Sequence, residues 1–162
     1  MCSSDLTLNV LGPGEFFGEI ALLDGKGRTA SAVARDASEL LFIARKDFLS
    51  FVSRRPDTMI HIMELLCAHL RRSTDYISDF AFLSLSRRLA KKLVTLLNDG
   101  VSPSERSLRV SHAELASMLG VSRERVSREL AAWGGKGILE QGRGRLIVRD
   151  RGALEHVIAG PG

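Results

Sequence analysis

The stretch SHAELASMLGVSRERVSREL, from Ser111 to Leu130, predicts two short helices joined by a tight turn. Ser111 and Glu114 have the spacing of a capping box, which starts the first helix. Gly120 supplies the left-handed backbone position at which that helix ends. Small and apolar side chains then let the two helices cross closely, as in a helix-turn-helix. An ordinary helical hairpin with a solvated charged face is the alternative interpretation.

The second helix combines an apolar side with a side able to contact DNA. Ser122 is its candidate N-cap, and Val126 and Leu130 are its candidate core residues. The facing surface carries four side chains that can reach base edges: Arg123, Glu124, Ser127 and Arg128. An arginine fork matches guanine O6 and N7, whereas a carboxylate matches the amine of cytosine. The pattern therefore predicts a recognition helix.

The segment SRERVSR, from Ser122 to Arg128, resembles the recognition helix of the cyclic AMP receptor protein/FNR family of bacterial transcription regulators. The family pattern is Ser-Arg-Glu with an arginine four residues after the glutamate. The resemblance implies guanine contacts for Arg123 and Arg128 and a cytosine contact for Glu124. The predicted DNA-contacting residues of this region are Ser111, His112, Ser122, Arg123, Glu124, Ser127 and Arg128.

Charge and composition agree with a nucleic-acid partner. The chain has 162 residues, 44% of them hydrophobic, and a net charge of +4. Nine basic and four acidic residues lie between Arg106 and Arg149, so the basic excess belongs to the helix-turn-helix half. The two cysteines form no CxxC motif, and no metal cluster, signal peptide, membrane span or catalytic Ser/His/Asp set is visible. We expect a cytoplasmic protein that is not an enzyme.

The segment GEIALLDGKGRTA, which begins at Gly18, resembles the phosphate-binding cassette of cyclic-nucleotide-binding domains. The resemblance implies that Glu19 accepts a hydrogen bond from the ribose 2′-OH and that Arg28 pairs with the phosphate. A buried strand followed by a turn is the alternative. The implied ligand residues of this segment are Gly18, Glu19, Ile20, Ala21, Arg28 and Thr29. The implied effector is a cyclic nucleotide; cyclic AMP is favoured over cyclic GMP, although Thr29 suits either purine.

Three segments before Pro56 have strand-like patterns, at residues 6–10, 29–34 and 39–44. A jelly-roll domain uses eight strands, so we expect only the later part of such a β-roll in this chain. We also expect residues 6–55 to be poorly protected in hydrogen exchange, because an incomplete roll leaves an unpaired edge.

A helix is predicted over residues 56–80, with a heptad seam along one side. The seam residues are Met59, Met63, Leu66, Leu70, Ser73, Ile77 and Phe80. The family resemblance implies a parallel homodimer through this helix and base contacts from Ser73 and Thr74. Packing against a single core is the alternative, and His61 and His69 are expected to be solvated.

The remaining chain completes an α+β architecture of three parts. A helix is predicted from Leu85 to Leu97, and a hairpin over residues 138–148 predicts a wing whose Arg143 and Arg145 touch phosphate. A last short helix is expected at residues 153–158. The predicted domains are a partial β-roll of the jelly-roll type at 1–55, a dimerisation helix at 56–80 and a winged helix-turn-helix at 81–162.

The predicted function is that of a dimeric transcription regulator that binds two-fold symmetric double-stranded DNA under cyclic-nucleotide control. RNA polymerase is an expected further partner. Two alternatives remain open at this point. One is a regulator of the same family that senses redox state or a gas, and the other is a nucleotide-binding module that docks on protein.

Overall fold

The computed structural model describes residues 6–98, 106–142 and 144–160. The helices are α1 (Glu19–Asp24), α2 (Arg45–Val52), α3 (Pro56–Phe82), α4 (Leu85–Asn98), α5 (His112–Leu119), α6 (Arg123–Gly135) and α7 (Arg151–Ala159). The strands are β1 (Ser107–Leu108), β2 (Leu139–Gly142) and β3 (Arg145–Val148). The chain divides into two compact units, residues 11–74 and residues 75–160 with 6–10, and the division falls within α3. The α+β prediction is confirmed.

The helix-turn-helix forms as predicted. The Glu114 amide donates to the Ser111 hydroxyl at 3.2 Å, and the Ser111 amide donates to the Glu114 carboxylate at 2.7 Å, which completes the capping box at the start of α5. Gly120 ends α5 with a φ of 63°, a left-handed conformation that glycine adopts without steric cost. Val126, Leu130 and Trp133 are buried on the inner side of α6. The other side of α6 is thereby left to solvent.

One continuous core supports this unit. Leu89 and Leu93 of α4 are fully buried, as are Leu115 of α5 and Leu154 of α7. Truncating such a side chain to alanine costs about 2–5 kcal/mol, because it removes transfer free energy and leaves a cavity. The recognition helix α6 therefore packs on a rigid core formed with α4, α5 and α7. The predicted last helix is confirmed and is longer than expected, since Asp150 caps it by accepting from the Ala153 amide at 2.9 Å.

The predicted wing is an antiparallel hairpin of β2 and β3, in which Leu139 pairs with Val148 and Gly142 with Arg145. Sequence analysis missed a third strand, β1, which pairs with the other edge of β3 to give the order β1-β3-β2. Its two residues are too few for a periodic signal. Arg143, at the predicted wing tip, lies outside the described residues.

Residues 11–74 have a smaller core. Leu22 of α1 packs with Phe48 and Val52 of α2, and the rings of Phe16 and Phe48 stack with centroids 6.3 Å apart. From α3, Met59 and Ile62 pack against this cluster. The core fixes α1 beside the first half of α3.

The predicted strands at residues 6–10, 29–34 and 39–44 are not formed in the described part of the chain. Their apolar side chains stay exposed; for example, Leu41 is 92% and Val33 87% exposed. A strand is stable only when a neighbouring strand accepts and donates its backbone hydrogen bonds, and no described residue supplies one here. Residues 6–10 instead contact the C-terminal unit, where the Thr7 amide donates to the Ser117 carbonyl at 3.1 Å.

The helix predicted over residues 56–80 is confirmed as α3, but the predicted seam is partly wrong. Met59 and Leu66 are half-buried, and Met59 packs against the core formed by α1 and α2. The exposed apolar residues of this part of α3 instead follow the spacing three, four, three. They form what we call the α3 stripe: Ile60, Met63, Cys67 and Leu70. The limits proposed for the three domains remain a prediction.

Candidate nucleotide and DNA sites

Gly18 and α1 define the predicted cassette. Gly18 has a φ of 79°, and Glu19 is the first residue of the helix that follows. A Cβ on Gly18 would collide with the Arg28 guanidinium, which would then have to leave its place beside the Gly18 carbonyl. Ile20 is exposed and Ala21 half-buried in the first turn of α1. The sharp turn at Gly18 thus brings residues distant in sequence to one place.

Arg28 closes over this turn. Its Nη1 donates to the Gly18 carbonyl oxygen at 2.8 Å, while the side chain remains exposed to solvent. Thr29, next in the chain, is exposed. The structure therefore brings Gly18, Glu19 and Arg28 together, as a phosphate-and-ribose site requires. The exposed guanidinium of Arg28 is suited to pairing with an anionic oxygen of a ligand.

Glu19 is the one buried charged residue in the described part of the chain, at 4% exposure. Its Oε1 lies 3.1 Å from Nδ1 of His69 on α3. The prediction that His69 is solvated is therefore wrong, because its ring contacts Glu19 and only 31% of its side chain is exposed. Sequence analysis missed this contact. The one available signal was that His69 lies one helical turn before Ser73, which is predicted to contact the base of the nucleotide.

Ser73 and Thr74, the predicted base-contacting residues, are exposed on α3. The Thr74 hydroxyl donates to the Leu70 carbonyl oxygen at 3.0 Å, a common local bond within a helix. Neither side chain contacts the cassette within the described residues. Ser73 lies on the same face of α3 as His69, one turn further along the helix.

The predicted DNA surface lies on α6 and at the start of α5. Arg123, Glu124 and Arg128 are exposed, as is Ser122 at the N-cap position. Ser122 makes no capping hydrogen bond to the backbone of α6, contrary to expectation.

The two helices of the helix-turn-helix are joined by His112 and Ser127, whose Nδ1 and hydroxyl oxygen lie 2.8 Å apart. Both side chains are half-buried. Beside them, a cleft of about 390 Å³ is lined by Ser111, Arg123 and Arg145, which come from three different elements. The two arginines make this cleft electrostatically suited to a phosphate group.

The charge state of Glu124 suits an acceptor. Its own backbone N–H, the Ser122 hydroxyl and the positive charge of Arg123 lower the pKa of the Glu124 carboxyl below its ordinary value. Desolvation opposes this lowering of the pKa, but its effect is smaller than that of either hydrogen bond. The ionised carboxylate can accept a hydrogen bond from a cytosine amine but cannot donate one.

Arg88 connects three elements of the C-terminal unit, namely α3, α4 and α5. Its Nη1 donates to the Leu119 carbonyl oxygen at 3.1 Å, at the end of α5. Its guanidinium also lies 4.8 Å from the centroid of the Phe80 ring on α3, a cation–π distance. The end of α3 is thereby tied to the turn before the recognition helix.

Among the described residues, no helix is long and apolar enough to cross a membrane. In the same residues, no group of three or more His, Cys, Asp or Glu side chains is arranged to hold a metal ion.

Comparison with known families matches both halves of the chain. A model described as a cyclic nucleotide-binding domain matches residues 3–55, and one described as a Crp-like helix-turn-helix domain matches residues 87–157. In structure, the chain is similar to a CRP/FNR-family transcriptional regulator of Thermus thermophilus, with a TM-score of 0.73 and 23% identity over 97% of this chain and 78% of that one. At that identity the likeness concerns the fold.

Two curated relatives extend the comparison. The chain is 39% identical over 154 residues to the cyclic AMP receptor protein of Thermus thermophilus, covering 95% of this chain and 70% of that protein. It is 30% identical over 147 residues to the CRP-like cAMP-activated global transcriptional regulator of Mycobacterium tuberculosis, covering 88% and 66%. The chain thus spans about two thirds of the length of these relatives. The second relative is named as a transcriptional regulator, and this chain belongs to the cyclic AMP receptor protein/FNR family of bacterial transcription regulators.

Proposed function

We propose that the chain binds specific double-stranded DNA as a homodimer and that a cyclic nucleotide, favoured to be cyclic AMP, controls this binding. The observation that carries the proposal is the recognition helix: Arg123, Glu124 and Arg128 are exposed, while Val126 and Leu130 hold the opposite face in the core. Arginine forks and an ionised carboxylate on one rigid helix face can distinguish guanine and cytosine in the major groove. The expected setting is the cytoplasm, with RNA polymerase as a further partner.

The cassette supports the effector part of the proposal. A cyclic nucleotide offers an anionic phosphate and a ribose 2′-OH, and the site offers the Arg28 guanidinium and the Glu19 carboxylate. The names of the two curated relatives also contain cyclic AMP. Thr29 suits either purine, so the preference for cyclic AMP over cyclic GMP rests on those names and on the family resemblance.

The α3 stripe supports the homodimer. Ile60 is 53%, Met63 52% and Leu70 69% exposed, and all lie on one side of a long helix. Spacing of three and four residues is that of a two-stranded coiled coil, in which a second copy covers the apolar seam. Ile77, seven residues after Leu70 and 67% exposed, continues the same register.

The test has two arms, both performed on the 162-residue chain. Calorimetry with cyclic AMP and with cyclic GMP measures effector binding in the wild type and in Arg28→Ala. We expect Arg28→Ala to lose affinity by about tenfold to a hundredfold, since a charge-assisted hydrogen bond contributes about 1.5–3 kcal/mol. Unchanged affinity would contradict the assignment of the cassette.

The second arm measures DNA binding by fluorescence anisotropy, with and without the nucleotide. Random duplex DNA reports non-specific binding, and a duplex selected by the protein reports specific binding. We expect the nucleotide to raise affinity for the selected duplex more than for the random one. Binding to neither duplex would favour the alternative in which the helical half docks on protein.

A further inference from the structure

The contact between Glu19 and His69 joins a buried carboxylate to the long helix. Glu19 is 4% exposed, and the described residues offer its carboxylate no other ion-pair or hydrogen-bond partner than His69. An ionised carboxylate can only accept hydrogen bonds, so Nδ1 of His69 carries the proton and donates to Oε1. This donation sets the tautomer of the imidazole when it is neutral.

The two carboxylate oxygens of Glu19 differ in their hydrogen bonding. Oε1 accepts from His69, whereas Oε2 accepts no hydrogen bond from any described residue. Oε2 therefore has the capacity to accept one more hydrogen bond, and a ligand hydroxyl is a donor of the right kind.

The backbone around Glu19 cannot fix its side chain alone. Gly18 and the first turn of α1 place its Cα, and Arg28 is bonded to the Gly18 carbonyl rather than to the carboxylate. The rotatable bonds of the Glu19 side chain are instead held by a donor from α3. His69 is in turn held by α3, which packs on the core of this unit through Met59 and Ile62, earlier in the same helix.

We infer that His69 is a positioning residue of the nucleotide site: it holds Oε1 of Glu19 so that Oε2 accepts the ribose 2′-OH. This inference rests on the proposed function, since it takes the cassette to be a cyclic-nucleotide site. It assigns to His69 a role that is indirect, because the imidazole acts on the ligand through Glu19. It also makes α3 part of the ribose site.

The experiment compares two ligands that differ only in the group at issue, cyclic AMP and 2′-deoxy cyclic AMP. Affinity for each is measured by calorimetry on the full chain, in the wild type, His69→Ala, His69→Asn and His69→Gln. The Asn amide nitrogen occupies nearly the position of Nδ1, since both are bonded to Cγ. The Gln amide lies one bond further out and serves as the matched control. Circular dichroism verifies that each variant is helical.

The positioning role predicts a pattern that a merely structural role would not give. His69→Ala should lose about tenfold or more of its affinity for cyclic AMP, the weight of one hydrogen bond to a charged group, and little of its affinity for the deoxy ligand. His69→Asn should restore the preference for the ribonucleotide, and His69→Gln should restore it less. An equal loss for both ligands, or no loss in His69→Ala, would overturn the inference while the wild type still bound cyclic AMP. Failure of the wild type to bind either ligand would overturn the proposed function as well.

Discussion

Nδ1 of His112 lies 2.8 Å from the hydroxyl oxygen of Ser127, so the first helix of the helix-turn-helix is bonded directly to the recognition helix. The sequence places both residues at the DNA surface, and the structure shows that each restrains the other. A bond between two half-buried side chains fixes the angle at which α6 is presented.

We predict that Ser127→Ala lowers the free energy of unfolding by about 0.5–1.5 kcal/mol, the net contribution of one intramolecular hydrogen bond. It should also weaken specific DNA binding more than non-specific binding, because orientation affects base contacts first. Urea titration and anisotropy measure the two effects. Ser117→Ala, which removes the α5 hydroxyl that bonds to Thr7 at 2.7 Å, is the comparison for loss of a hydrogen-bonded hydroxyl. A Ser127→Ala variant with wild-type stability and wild-type specificity would argue against this role.

Gly18 and Gly14 form a matched pair for testing the cassette. Both have φ near 80°, so alanine at either position incurs the same backbone strain of about 1–2 kcal/mol. A Cβ on Gly14 meets nothing within 4 Å, whereas a Cβ on Gly18 collides with Arg28. We therefore expect similar thermal shifts but a loss of nucleotide affinity only in Gly18→Ala.

Calorimetry with cyclic AMP measures this difference. The collision displaces the guanidinium that is proposed to pair with phosphate, so Gly18→Ala should resemble Arg28→Ala. Equal affinities for cyclic AMP in the two glycine variants would show that nucleotide binding does not depend on the position of Arg28 beside Gly18.

The α3 stripe makes a prediction about assembly. Leu70→Glu places a charge within the apolar seam and should shift dimer toward monomer in sedimentation experiments. His61→Glu adds the same charge on an exposed residue beside the stripe and should leave the dimer intact. Dissociation by both variants to the same extent would locate the interface elsewhere.

Cys67 lies within the stripe and is a free, exposed thiol. In a parallel dimer the two copies of this residue face each other across the seam. A short bis-maleimide should therefore join two wild-type chains covalently, and Cys67→Ser should abolish the dimer band on a denaturing gel. A band that persists in Cys67→Ser would come from a different pair of residues.

The exposed carboxylate of Glu124 predicts how base preference depends on pH. Because its pKa is lowered, the ionised form persists as pH falls and is lost only when pH falls through this lowered value. The cytosine preference at one position should therefore stay constant between about pH 8 and about pH 5.5, above the range in which glutamate titrates. Glu124→Gln should lack the preference throughout, and selections at the two pH values measure it. A preference that faded between these values would require a different titrating group.

The sequence predicted well those features that depend on local chemistry. Ser111 with Glu114 specified a cap, and Gly120 specified a turn, because both effects involve neighbours within four residues. The heptad spacing of α3 likewise specified a helix. It did not specify the exposed side, because Met59 and Ile60 are both apolar and only the position of α1 and α2 decides which of them is covered.

Long-range partners account for the other differences. The alternation in residues 6–10 and 39–44 is typical of strands, yet no described strand pairs with either. His69 is fifty residues from Glu19 in sequence, so no local sequence pattern predicts their contact. A histidine on a helix is usually solvated, and only the packing of α1 on α3 made this one a partner.

The most direct test of the central claim is selection from a random duplex library with and without cyclic AMP, on the wild type, Arg128→Ala and Arg145→Ala. The account predicts a two-fold symmetric wild-type motif with half-sites about 34–36 Å apart, or a multiple of this, enriched only with nucleotide. Arg128→Ala should lose one guanine position and about 1–3 kcal/mol of discrimination. Arg145→Ala should keep the motif and reduce the salt dependence of binding by about one phosphate. An identical motif and an identical salt slope in both variants, or a motif indifferent to cyclic AMP, would contradict the account.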